Sequence, residues 1–140
     1  MKAKIAKEYK WSMSHRLPFH KGVCKNIHGH AYKIRVVVTG EVDENGMLID
    51  FFDLDSAVMP IVNQLDHSFL CNETDTEMLE FLSSSSFKYN VIPMTTTAEN
   101  VGYYMLQKIA DTLRKHSNLA AVQIRFYEND DAYAELEMEL

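Results

Sequence analysis

Cys24, His28 and His30 fall in the stretch CKNIHGH, where a thiol precedes two imidazoles separated by a single glycine. A third imidazole, His15, ends an earlier stretch of alternating residues. Three neutral imidazoles facing one volume suit a zinc ion, which in catalytic sites takes three protein ligands and keeps a fourth position open. A closed structural site would recruit a fourth protein ligand, and Cys24 is the candidate for it. Two readings therefore stand: an open His15–His28–His30 centre with Cys24 beside it, or a closed Cys-His₃ site.

The three histidines can converge only if two strands bring them together. Residues 3–15 alternate, with Ile5, Tyr9, Trp11 and Met13 on one face, His15 in phase with them, and Lys7 as the exception. Residues 30–42 alternate again through Tyr32, Ile34, Val36 and Val38, and extending that phase backwards puts His28 and His30 on the same apolar face. Residues 54–65 switch to helical spacing through Leu54, Ala57, Val58, Ile61, Val62 and Leu65, with Pro60 predicting a kink or a late start. A second helix is expected over 97–116, started by a capping box between Thr96 and Glu99. Strands through Val122–Phe126 and Ala134–Leu140 follow, joined by the turn ENDDA. The order strand, strand, helix, helix, strand, strand predicts an α+β fold: a four-stranded antiparallel sheet with two helices on one face. Residues 72–95 fit no element and read as an inserted loop with one helical turn at most.

Further residues carry chemistry. Glu128 ends the apolar face of Val122, Ile124 and Phe126, where a carboxylate is costly unless a cation or a pair of ligand donors meets it. The alternative is a solvated glutamate at a strand end. Asp66 and His67 adjoin at the end of the first helix, where a histidine would also be stabilised by the helix dipole. Cys71 reads as a buried small hydrophobe, and His20 and His116 as surface residues.

Composition bounds the rest. A chain of 140 residues with 46% apolar and 24% charged content is expected to be one globular domain over 1–140. A net charge of −6 with no basic stripe argues against nucleic acid, though not against a small phosphorylated ligand. No apolar run approaches the roughly 20 residues of a membrane span, and MKAKIAKEYKW is no secretory signal. The expected compartment is cytoplasmic, with Cys24 and Cys71 as free thiols.

WSMSHRLP, CKNIHGHAY, GMLIDFFDL, LDHSFL, TTTAENV and RFYEN together, in this order, resemble the superfamily of 6-pyruvoyl-tetrahydropterin and 6-carboxytetrahydropterin synthases over nearly the whole chain. The resemblance implies zinc ligands at His15, His28 and His30, a catalytic cysteine at Cys24 and a proton-transferring pair at Asp66 and His67. It implies a pterin-anchoring acid at Glu128, with further polar contacts at Thr97 and Glu99. It also implies the tunnelling fold, assembled as a homo-oligomer, usually a hexamer, with active sites between subunits and 7,8-dihydroneopterin triphosphate as substrate. The three-residue spacer between Cys24 and HGH resembles the queuosine-pathway, carboxy-type enzymes. The opening WSMSHRL, which resembles the pyruvoyl type, and the length of 72–95, which exceeds that of compact carboxy-type enzymes, keep the pyruvoyl-type reaction open, and Asn129 departs from the threonine usual in the family after the anchoring acid. A non-catalytic zinc-dependent pterin-binding or structural protein is the reading from another class, and such a scaffold needs none of Cys24, Asp66, His67 and Glu128.

Overall fold

The computed structural model describes residues 1–140. Strands β1 (Lys2–His15) and β2 (His28–Glu41) pair antiparallel along their whole length, with Trp11 opposite Tyr32, Met13 opposite His30 and His15 opposite His28. Helix α1 (Phe51–Leu65) follows, then strand β3 (Ser68–Asn72), helix α2 (Thr76–Ser83), strand β4 (Tyr89–Ile92), helix α3 (Ala98–Leu113) and the hairpin of β5 (Leu119–Asn129) and β6 (Ala132–Glu139). The sheet order is β4-β3-β1-β2-β5-β6, so it has six strands rather than four. It is also mixed: β3 runs parallel to both β1 and β4.

Strands β1, β2, β5 and β6 and helices α1 and α3 correspond to the expected elements, but the sheet is not the expected four-stranded one; the additions come from residues 68–92. The stretch expected as a loop over 72–95 carries α2 and β4. Around them a second small core forms from Phe69, Cys71, Met78 and Leu82.

Helices α1 and α3 cover one face of the sheet. Their stripes of Leu54, Val58, Ile61, Leu65, Met105, Leu106, Ile109 and Leu113 close over Tyr9, Trp11, Tyr32, Ile34, Val36, Val122, Ile124 and Phe126, all buried. The α1 stripe begins earlier than its apolar residues suggest, because Asp50 caps the helix by accepting from the Phe52 amide at 2.8 Å. Pro60 thus lies inside the helix, on its exposed side. Lys7, the exception in the β1 pattern, is explained by Asp55 on α1. That carboxylate accepts from Lys7 Nζ at 2.9 Å and from the Tyr9 hydroxyl at 2.7 Å. Gly102 lets α3 approach the hairpin: a Cβ there would come within 2.8 Å of Leu136 and 3.3 Å of Phe126.

Candidate metal centre and active site

The register of β1 on β2 makes the cluster. His15 faces His28 directly across the ladder, and His30 lies one step along the same face of β2. The ring centroids of His15 are 4.7 Å from His28 and 5.3 Å from His30, and those of His28 and His30 are 5.0 Å apart. One ligand atom from each of the three lies within 4.8 Å of the others.

Hydrogen bonds settle which nitrogen faces inward. His15 Nδ1 is 2.8 Å from the Thr96 carbonyl, and His28 Nδ1 is 2.7 Å from the Asn26 carbonyl. A carbonyl only accepts, so both rings donate from Nδ1 and keep the lone pair on Nε2. Nε2 of His15 and of His30 are buried without any protein partner. Buried polar atoms lacking partners are uncommon, and lone pairs converging from three rings fit a divalent cation. Burial, more than any neighbour, pushes the His15 pKa down to about 4, with repulsion from His28 and His30 adding to it. Burial also lowers that of His30, against the pull of Glu128. Both shifts favour neutral imidazole at His15 and His30, the form that ligates metal.

Cys24 sits in the single 3-10 turn Val23–Lys25 between the two strands, half-buried and free. Its carbonyl accepts from the Leu17 amide at 2.9 Å, which ties the loop to the end of β1. Its sulfur is not among the converging ligand atoms. The closed Cys-His₃ arrangement is therefore not the one built here.

Glu128 is the bulged residue of β5. The pairing with β6 slips between Tyr127 and Asn129, leaving Glu128 without an opposite number. Its carboxylate comes within 3.9 Å of His30 Nε2 and shares a hollow of about 250 Å³ with Glu99. Glu99 is exposed in the first turn of α3.

The capping box expected between Thr96 and Glu99 does not form. Thr97 is the cap, accepting from the Asn100 amide at 3.2 Å, so Glu99 falls one position short of closing a box. Thr96 turns instead to His15. Nothing in TTT distinguishes the three threonines, so the sequence offered no signal for this role.

Asp66 and His67 form a dyad held by main chain. Asp66 Oδ1 is 2.8 Å from His67 Nδ1 and accepts from the Ser12 amide at 3.0 Å, while the His67 amide donates to the Ser12 carbonyl at 2.7 Å. The Ser12 amide, ahead of His67, holds the Asp66 carboxyl below the usual carboxylate range. His67 has φ +55°, a left-handed conformation that a non-glycine residue adopts at some cost and that clusters at functional sites. Lys88, which sequence patterns did not single out, donates to the Asp66 carbonyl at 2.7 Å and the Asn63 carbonyl at 2.9 Å.

The dyad borders a hollow with Lys10, Ser12, Ala31 and Lys33, the residues that alternate with the core-facing ones. It therefore lies toward the sheet face opposite the three histidines. Cys71 is buried as expected, its thiol pushed up to about 11 by desolvation, and His20 is exposed. His116, expected at the surface, is half-buried with an unpartnered Nε2.

A family model described as 6-pyruvoyl tetrahydropterin synthase matches residues 4–139. The chain belongs to that family. Among its relatives, the 6-carboxy-5,6,7,8-tetrahydropterin synthase of Haemophilus influenzae is 32% identical over 140 residues, covering 94% of this chain and 96% of its own. The Rickettsia conorii protein of the same name is 26% identical over 136 residues, covering 95% and 99%. The solved Plasmodium vivax 6-pyruvoyltetrahydropterin synthase superposes with a TM-score of 0.82 at 18% identity, covering 100% of this chain and 99% of that one. At that identity the likeness is one of fold. It includes the six-stranded sheet, so the strands added by residues 68–92 do not set this chain apart from the family.

Proposed function

We propose that the protein is a zinc-dependent 6-carboxy-5,6,7,8-tetrahydropterin synthase, converting 7,8-dihydroneopterin triphosphate and water to 6-carboxytetrahydropterin, acetaldehyde and triphosphate, a lyase reaction on the route to queuosine-type deazapurines. The observation that carries this reading is the convergence of His15, His28 and His30, with the Nε2 atoms of His15 and His30 buried and unpartnered. His15, His28 and His30 would hold the zinc. When bound, it supplies Lewis-acid polarisation of the substrate's side-chain oxygens.

Glu128, with Glu99 beside it, suits the two adjacent N–H donors of a 2-amino-4-oxo-pyrimidine, with Thr97 at the same end of α3. Cys24 as thiolate would move a proton at the pterin carbon and side chain. Asp66, kept ionised by its partners, holds the proton on His67 Nδ1 and leaves Nε2 free to exchange another.

The site belongs between subunits of a homo-oligomer, a hexamer on the family pattern. Within one chain the dyad and the histidines lie toward opposite faces of the sheet, so a second copy has to bring them together. The sheet also has edges that another copy can complete: β3 covers β1 only at Met13 and Ser14, and the outer edge of β6 is free. No helix is long and apolar enough to cross a membrane, in keeping with a cytoplasmic enzyme.

The pyruvoyl-type reaction on the same substrate is the second reading, favoured by the WSMSHRL motif. Product analysis separates them. Zinc-loaded protein given 7,8-dihydroneopterin triphosphate should release acetaldehyde along with triphosphate; triphosphate without acetaldehyde would identify the pyruvoyl reaction.

A further inference from the structure

His15 is the most enclosed of the three histidines, at 1% exposure. Besides the Thr96 carbonyl, its Nδ1 lies 3.2 Å from the Thr96 hydroxyl oxygen. That hydroxyl donates its own hydrogen to the main-chain carbonyl of Arg16 at 3.3 Å. With its hydrogen so committed, the oxygen can only accept from the imidazole. Thr96 therefore presents two acceptors to one N–H, and both enforce the same tautomer.

The carbonyl that orients the hydroxyl is fixed in turn. Arg16 follows His15 directly, and its guanidinium meets Asp75 at 2.8 Å and 2.6 Å. Thr96 itself is only 2% exposed and takes no part in capping α3, a task that falls to Thr97. A buried hydroxyl bonded on one side to the ring and on the other to the next peptide along has one geometric consequence. It sets both the rotation of the His15 ring and the direction of its Nε2 lone pair.

We propose that Thr96 is a positioning residue of the metal centre, its hydroxyl locking His15 in the Nδ1–H tautomer with Nε2 aimed at the point shared with His28 and His30. This rests on the reading of the three histidines as metal ligands.

The test compares wild type, Thr96→Val and Thr96→Ser by competition for zinc against a chromophoric chelator, with visible spectra of the cobalt(II) forms. Thr96→Val keeps shape and the backbone carbonyl but removes the hydroxyl. It should bind zinc about tenfold to a hundredfold more weakly and show altered cobalt bands, whereas Thr96→Ser should restore both. Nitrogen-15 NMR of metal-free wild type needs no variant and should find His15 with its proton on Nδ1. Unchanged zinc affinity in Thr96→Val, or a His15 proton on Nε2, would overturn the proposal while leaving the metal reading intact. Wild type that takes up no zinc at all would overturn both.

Discussion

At the residue scale, the site is a set of groups whose environments fix their protonation and direction. Glu128 sits on a bulge at the end of an apolar face with no cationic partner. If its partner is the pterin edge, Glu128→Gln should weaken pterin binding by about 1.5–3 kcal/mol without changing zinc content, as isothermal titration and metal analysis would show. A variant that bound pterin normally but unfolded more easily would make the acid structural. On the proposed mechanism, in which the thiol moves a proton, Cys24→Ala should keep zinc and fold, since the thiol stands outside the ligand cluster, but lose about 10²–10⁴-fold in turnover. The depressed His15 pKa gives a pH prediction for metal-free protein. Between its ordinary 6.5 and about 4, the unfolded chain binds a proton that the folded chain refuses. Stability should thus fall as pH drops through that window and level off below it, measured by urea melts with chelator present. Most of these residues were legible in the sequence, because HGH and the phase of two strands put the histidines on one face. Thr96 and Lys88 were not, because they act through main-chain carbonyls that no side-chain pattern records.

At the scale of elements, the long amphipathic pieces were legible and the short ones were not. Strand β3, SFLCN, is buried over four consecutive residues and so lacks the alternation that marks a half-exposed strand. Helix α2 buries only Met78 and Leu82, too few positions to display a period, and β4 has four residues. What holds this part in place is the Asp75–Arg16 pair, with side chains only 6% and 16% exposed. Asp75 also caps α2 through the Met78 amide, and its carboxyl is held below the usual range chiefly by Arg16. Asp75→Asn leaves a largely buried guanidinium short of its counter-charge and should cost about 3 kcal/mol, read from denaturant melts. Part of that loss should appear as faster amide exchange across α2. Exchange unchanged there would show that the pair does not hold the segment.

At the scale of the whole molecule, the stretch of β1 left uncovered by β3 and the outer edge of β6 carry opposite charge. Strand β1 brings Lys2, Lys4 and Lys10, and β6 brings Glu137 and Glu139, while Lys7 and Glu135 are already paired with Asp55 and Arg125. Joining one edge to the other is a head-to-tail contact, which closes into a ring when the rotation permits. Reversing charge with Glu137→Lys and Glu139→Lys should shift sedimentation from the assembled species toward smaller ones, more so at low salt. Indifference of the assembly to both charge reversal and salt would place the contact elsewhere.

Zinc X-ray absorption on the purified protein distinguishes an open metal centre of three imidazoles from a closed one. About one zinc per chain should be found with three nitrogen ligands at roughly 2.0–2.1 Å and an oxygen completing the shell. A sulfur ligand at about 2.3 Å would mean that Cys24 closes the site and that the centre is not an open one.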